Sequence, residues 1–160
     1  MTKLTHFDDQ GRAWMVDVGD KEKTTRKAVA RGRVCLNPAT YVLAVSGQLK
    51  KGDVLGVAQV AGIMAAKRTP DLIPMCHPIA ITGVSIHFDL DAENSAIGIE
   101  ATVTCNGETG VEMEALTAVS ATALTIYDMC KSAQKDILIE NIYLTAKSGG
   151  KSGDYRKEEK

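Results

Sequence analysis

Cys76 and His77 place a thiol beside an imidazole, and Pro70, Pro74 and Pro78 bracket them within nine residues. Proline fixes φ and withdraws an N–H, so Pro70 to Pro78 reads as a stiff, non-helical connector. Rigidity of that kind aims an imidazole for proton transfer or for binding. Taken alone, a histidine is more often structural than catalytic, and a small thiol is more often buried than nucleophilic. The pair is also a poor zinc site. Adjacent residues rarely chelate one ion together, and Cys35, Cys105 and Cys130 lack ligand spacing.

A second set of ionisable groups flanks one long segment. Asp128 and Lys131 are spaced i, i+3 and share a helical face. Exposed, they form a weak surface pair. Desolvated, their pKa values shift and they can act as acid and base. Lys51, within Lys50-Lys51-Gly52-Asp53, reads first as part of a solvated turn, and otherwise as a cation beside a helix start that favours anions. Glu112 and Glu114 stand at the far end of the Asp128 segment. Glu114 precedes Asp128 by 14 residues, about 21 Å along a helix axis. One small ligand could hardly touch both from the same chain. If both serve active sites, each site combines two subunits.

The elements that must hold these groups are legible from periodicity. Residues 1–24 read as an N-terminal arm with a turn at Gln10-Gly11 and a short apolar piece, Trp14-Met15-Val16. From Arg26 to Leu36 apolar and basic residues alternate, the pattern of a strand. Asn37-Pro38 opens a helix to about Ser46, and Asp53 caps a second that runs to about Ala66. That second helix has Gln59 as its one clearly polar side chain, so it is expected to be buried on most sides.

Two alternating runs follow the connector, Val84 to Leu90 and Ile97 to Cys105. Asp91-Ala92-Glu93-Asn94-Ser95 joins them as a hairpin turn. A long helix is expected over 111–133 and a last strand over 142–147. The order is β-αα-β-β-α-β. It predicts a single α+β domain over 1–160, a ferredoxin-like βαββαβ sandwich with a four-stranded antiparallel sheet and helices on one face. From Ser148 onward a glycine-rich, then charged tail is expected to be flexible. Ser148-Gly149-Gly150-Lys151-Ser152 is not a P-loop, because Thr145 stands where the first glycine is needed. The tail is either disordered or an offer of lysines and backbone amides to phosphate.

The 19 basic and 20 acidic residues leave a net charge of −1, which argues against a general nucleic-acid binder. The polar N-terminus and the absence of a long apolar run argue for neither signal peptide nor membrane span. Four scattered cysteines without CxxC spacing fit a reduced, cytoplasmic protein. The long helix carries no charge from Ala115 to Tyr127 and is rich in Ala, Ser and Thr. Its outer face must be covered, by a second copy of the chain or by other segments of the same one.

Six motifs in order carry a family resemblance: Thr5-His6-Phe7-Asp8, Met15-Val16-Asp17-Val18, Leu72-Ile73-Pro74-Met75-Cys76-His77-Pro78, Gly110-Val111-Glu112-Met113-Glu114-Ala115-Leu116-Thr117, Asp128-Met129-Cys130-Lys131 and Lys147-Ser148-Gly149-Gly150-Lys151-Ser152-Gly153. Together they resemble the cyclic pyranopterin monophosphate synthases, the molybdenum cofactor biosynthesis protein C family. Met75 stands where leucine is expected. The resemblance implies a ferredoxin-like subunit in a homo-hexamer, a trimer of dimers with active sites between subunits. It implies a lyase that converts (8S)-3',8-cyclo-7,8-dihydroguanosine 5'-triphosphate, made by an upstream radical SAM GTP cyclase, to cyclic pyranopterin monophosphate and pyrophosphate.

By the same resemblance Lys51, Asp128 and Lys131 match catalytic positions. Met75, Cys76, His77, Met113 and Glu114, with Glu112, match substrate-contacting ones, and Arg26 and Lys147 match residues near the phosphates. No resident cofactor or protein-held metal is implied, with magnesium as an optional charge carrier. The different reading is a ferredoxin-like regulatory module that binds a nucleotide or pterin and leaves it intact. A structural metal protein is a third.

Overall fold

The computed structural model describes residues 10–158. The first motif, Thr5 to Asp8, and the start of the arm lie outside them. From Gln10 to Lys23 the arm has no helix or extended strand.

The first alternating run forms β1 (Thr24–Cys35), with Ala28, Ala30 and Val34 fully buried and Lys27 and Arg31 turned to solvent. Helix α1 (Pro38–Val45) starts as its sequence dictates: the Asn37 side chain accepts from the Thr40 N–H and Pro38 occupies the first turn. Asp53 does the same for α2 (Val54–Lys67), accepting from the Gly56 N–H. Each cap contributes about 1 kcal/mol to its helix. The hairpin is β2 (Ile81–Asp91) and β3 (Ala96–Gly107), antiparallel. Asp91 accepts from the Asn94 backbone and side chain, and Ser95 adopts φ 51 to close the turn. The long helix α4 runs Glu112–Cys130, a turn shorter than expected.

Among the described residues, five strands form one antiparallel sheet in the order β2-β3-β1-β4-β5, with β4 Leu138–Ser148 and β5 Tyr155–Arg156. The first four follow an order consistent with the ferredoxin-like plan. The fifth corrects the expectation of four, and it comes from the tail, which was expected to be flexible. Residues 155–156 instead return to pair with 146–147. β4 is also longer than predicted, because Asn141 at φ 55 and a register irregularity opposite Arg31 and Arg33 break its alternation.

The connector is corrected as well. Thr69–Leu72 is one helical turn, α3, before extended chain resumes. Proline is tolerated at a first turn, where its missing N–H costs no hydrogen bond.

Helix α4 packs on β1, β3 and β4, and α2 packs on α4 and β2, so the helices cover one sheet face. Gly62 allows a close crossing: a Cβ there would strike Thr122, Ile86 and the Ala118 carbonyl. The far sides of these helices stay open, against the expectation that α2 is buried on most sides. Val57, Val60 and Met64 on α2 are exposed, and Leu124 on α4 is 62% exposed. Neither the other helices nor the described arm covers this uncharged stripe.

Candidate active site

Two clusters lie at opposite ends of α4. At its N-terminus a cavity of about 330 Å³ is walled by Val16, Val18 and Lys21 of the arm, by Met75, Cys76, His77 and Ile79 of the connector, by Thr109 and Gly110, and by Glu112, Met113 and Glu114. All six candidate substrate-contacting residues of the connector and helix thus share one cavity. The arm and Ile79-type walls were not singled out from sequence. Val16 and Val18 belong to the Met15-Val16-Asp17-Val18 motif, which carried no assigned role, and Lys21, Ile79 and Thr109 had no signal in the sequence.

Connector and arm are tied together. His77 Nε2 lies 2.7 Å from the Val16 carbonyl, so that nitrogen carries the proton and donates. Half-buried Cys76 stays a thiol: burial first, then the Glu114 charge, pushes its pKa up. That environment suits a wall residue and not a nucleophile.

Glu114 is 2% exposed yet faces the cavity. Burial pushes its carboxyl above the ordinary 4.5, opposed by its own backbone N–H and reinforced by Glu112. A carboxylate that faces a cavity can accept N–H donors from a ligand. A carboxyl with a higher pKa folded than unfolded takes up a proton on folding, so stability falls as pH rises above 4.5 towards the folded value. Glu114→Gln is therefore expected to raise the melting temperature at neutral pH and to do little near pH 4. Calorimetry at both pH values checks this; an equal gain at both would remove burial of charge as the cause.

Lys147 on β4 reaches the same end of α4, its Nζ 2.8 Å from Glu112 Oε1, both side chains about a quarter exposed. Arg26 sits close by on β1. Its Nε donates to the Gly107 carbonyl and its Nη2 to the Glu108 carbonyl, and the residue is 8% exposed.

At the C-terminus of α4, Asp128 joins two lysines. Lys131 Nζ is 2.6 Å from Oδ1 and Lys51 Nζ 2.8 Å from Oδ2, with a further 2.7 Å bond from Lys51 to the Asp128 carbonyl. Lys51 is thus engaged with the catalytic candidates, against the first reading of its loop as a merely solvated turn. The carbonyl end of a helix is a natural seat for a cation. Hydrogen bonds from Lys131 and then Lys51 hold the Asp128 carboxyl down at about 2, and Asp128 in turn raises Lys131. The expected desolvation is absent within one chain: these side chains are 41–56% exposed. Among the described residues, no group of three or more His, Cys, Asp or Glu is placed to hold a metal ion. No described helix is long and apolar enough to cross a membrane.

An α+β fold with a carboxylate-floored cavity at one end of a helix and a lysine–aspartate cluster at the other has the parts of an acid–base enzyme for a small polar substrate. Comparison with known proteins sharpens that class. Residues 15–150 match the model of the MoaC family, and the chain belongs to that family. It is 60% identical to the cyclic pyranopterin monophosphate synthase of Chloroflexus aggregans, covering 98% of this chain and 95% of that protein. It is 58% identical to the synthase of the same name from Heliobacterium modesticaldum, over 99% of this chain and 100% of the relative. A third, from Desulforamulus reducens, is 60% identical over 99% and 96%.

Proposed function

We propose that this chain converts (8S)-3',8-cyclo-7,8-dihydroguanosine 5'-triphosphate to cyclic pyranopterin monophosphate, releasing pyrophosphate. Its relatives make it an enzyme, a lyase of molybdenum cofactor biosynthesis. The finer reading of substrate and mechanism is supported above all by one observation: the cavity gathers the buried Glu114 with His77, Cys76, Met75 and Met113. A carboxylate there can accept the adjacent N–H groups of a guanine-derived ring, and the apolar and thioether walls can pack its faces.

Opening the purine and closing the pterin move protons without net redox change, which suits Lys51, Asp128 and Lys131 as acid–base groups. Closing the cyclic phosphate has a ribose hydroxyl form a bond to the inner phosphorus as the bond to pyrophosphate breaks. The hydroxyl proton passes to a base, and Arg26 and Lys147 offset the charge at the phosphate end. Magnesium, where it takes part, enters as a counter-ion of the triphosphate.

Because the cavity and the lysine cluster are about 21 Å apart along α4, one site draws the cavity from one protomer and the cluster from another. The uncovered stripe at Val57, Val60, Met64 and Leu124 supplies the apolar surface for such an assembly, a homo-hexamer on this reading. The four cysteines are free thiols, in keeping with a cytoplasmic enzyme. Incubating the purified protein with the cyclised substrate is expected to give stoichiometric pyrophosphate. Tight binding with the nucleotide recovered intact would establish the regulatory module instead.

A further inference from the structure

The tail beyond Lys147 is folded onto the cationic end of the site. After Lys147 the chain turns at Gly149 (φ +91) and Gly150 (φ +82). A Cβ at Gly149 would strike the Thr25 carbonyl, and one at Gly150 would strike the Arg26 guanidinium. The glycine pair therefore lies directly on β1 and on Arg26, a packing that only residues without side chains permit. Arg26 cannot swing clear, since Gly107 and Glu108 hold two of its nitrogens.

Three contacts keep the turn in place. Asp154 Oδ1 accepts the Gly149 N–H at 3.2 Å. The Gly153 N–H reaches the Gly150 carbonyl at 3.3 Å, and the Lys157 N–H reaches the Thr145 carbonyl at 2.8 Å. Lys157 Nζ also stands 3.9 Å from the centre of the Tyr143 ring, a cation–π contact that pins β5 to β4. Residue 155 pairs with Lys147 itself. The clasp thus ends on the residue whose amine touches Glu112 at the cavity rim.

We propose that Asp154 is a positioning residue: by holding Gly149 it seats the Gly149-Gly150 turn on Arg26 and fixes Lys147 and Arg26 as one wall for the triphosphate end of the ligand. The inference rests on the phosphate role given to those two cations above. Asp154 acts through an accepted hydrogen bond and touches no reacting atom. An amide oxygen at the same place does the same work, whereas a methyl group does not.

The test compares wild type, Asp154→Ala and Asp154→Asn as full chains. Steady-state pyrophosphate release gives KM and kcat, titration with inorganic triphosphate gives affinity, and trypsin cleavage after Lys151 reports the turn without any ligand. For Asp154→Ala, about tenfold higher KM and about tenfold weaker triphosphate binding are expected, with kcat within about twofold and faster cleavage. Asp154→Asn should restore all of these. Unchanged KM and triphosphate affinity in Asp154→Ala, with wild type active, would overturn the proposal and leave the enzyme reading intact. Failure of Asp154→Asn to restore them would overturn hydrogen-bond positioning in favour of a charge effect. A wild type that neither binds triphosphate nor releases pyrophosphate would overturn both readings together.

Discussion

Alanine in place of Lys51, Asp128 or Lys131, one at a time, is expected to lower pyrophosphate release by about a thousandfold, while thermal unfolding hardly moves. The two halves of that expectation come from one geometry. The three side chains are substantially exposed in the chain, and exposed ion pairs contribute little to stability. Yet both lysines meet the same carboxylate, one oxygen each, so each group fixes the direction of the others. Losses should accordingly fail to add: the pair Lys51→Ala with Lys131→Ala should be little worse than either alone. Pyrophosphate assays and melting curves on the four proteins decide it. Near-native release in all three single variants would end the catalytic assignment.

Mixing two inactive proteins should restore activity. Glu114→Gln damages the cavity end of α4 and Asp128→Asn the lysine end. If each site takes one end from each of two protomers, a mixed pair contains one site with both ends intact. After subunit exchange at equal amounts, about a quarter of wild-type activity is expected for sites shared pairwise. Each variant alone should stay near background. No recovery, with exchange verified by differently tagged chains in one particle, would mean that a single protomer holds the whole site. The distance along α4 makes this the strongest available test of the arrangement.

Much of the scaffold is legible in the residues. Alternation in β1, β2 and β3, the Asn37 and Asp53 caps and the Asp91 turn are local signals that the fold obeys. What escaped was decided over long distances or by exceptions to local rules. Pro70 reads as a helix breaker, but at a first turn it is a helix starter. The early half of β4 hides behind Asn141, whose left-handed backbone breaks the two-residue period. β5 has two residues in a polar tail and exists because β4 offers an edge. The lysine cluster joins residues 77 apart, and His77 meets Val16 over 61. Charge type and helical spacing marked Asp128 and Lys131 as partners. Only the fold brought Lys51 to the same carboxylate, and only the fold showed that their surroundings in one chain are wet.

The hydroxyls of α4 have a consequence for how its bare face meets other matter. Ser120, Thr122 and Thr125 each donate to the carbonyl four residues earlier, at 2.8, 2.8 and 2.7 Å. Such back-bonding spends the proton inside the helix; Thr122 is already buried against α2, and stripping solvent from around Leu124 would leave the half-buried Ser120 and Thr125 donors satisfied. A face that mixes such self-satisfied alcohols with alkyl groups can therefore lose its water with no loss of hydrogen bonds at those alcohols.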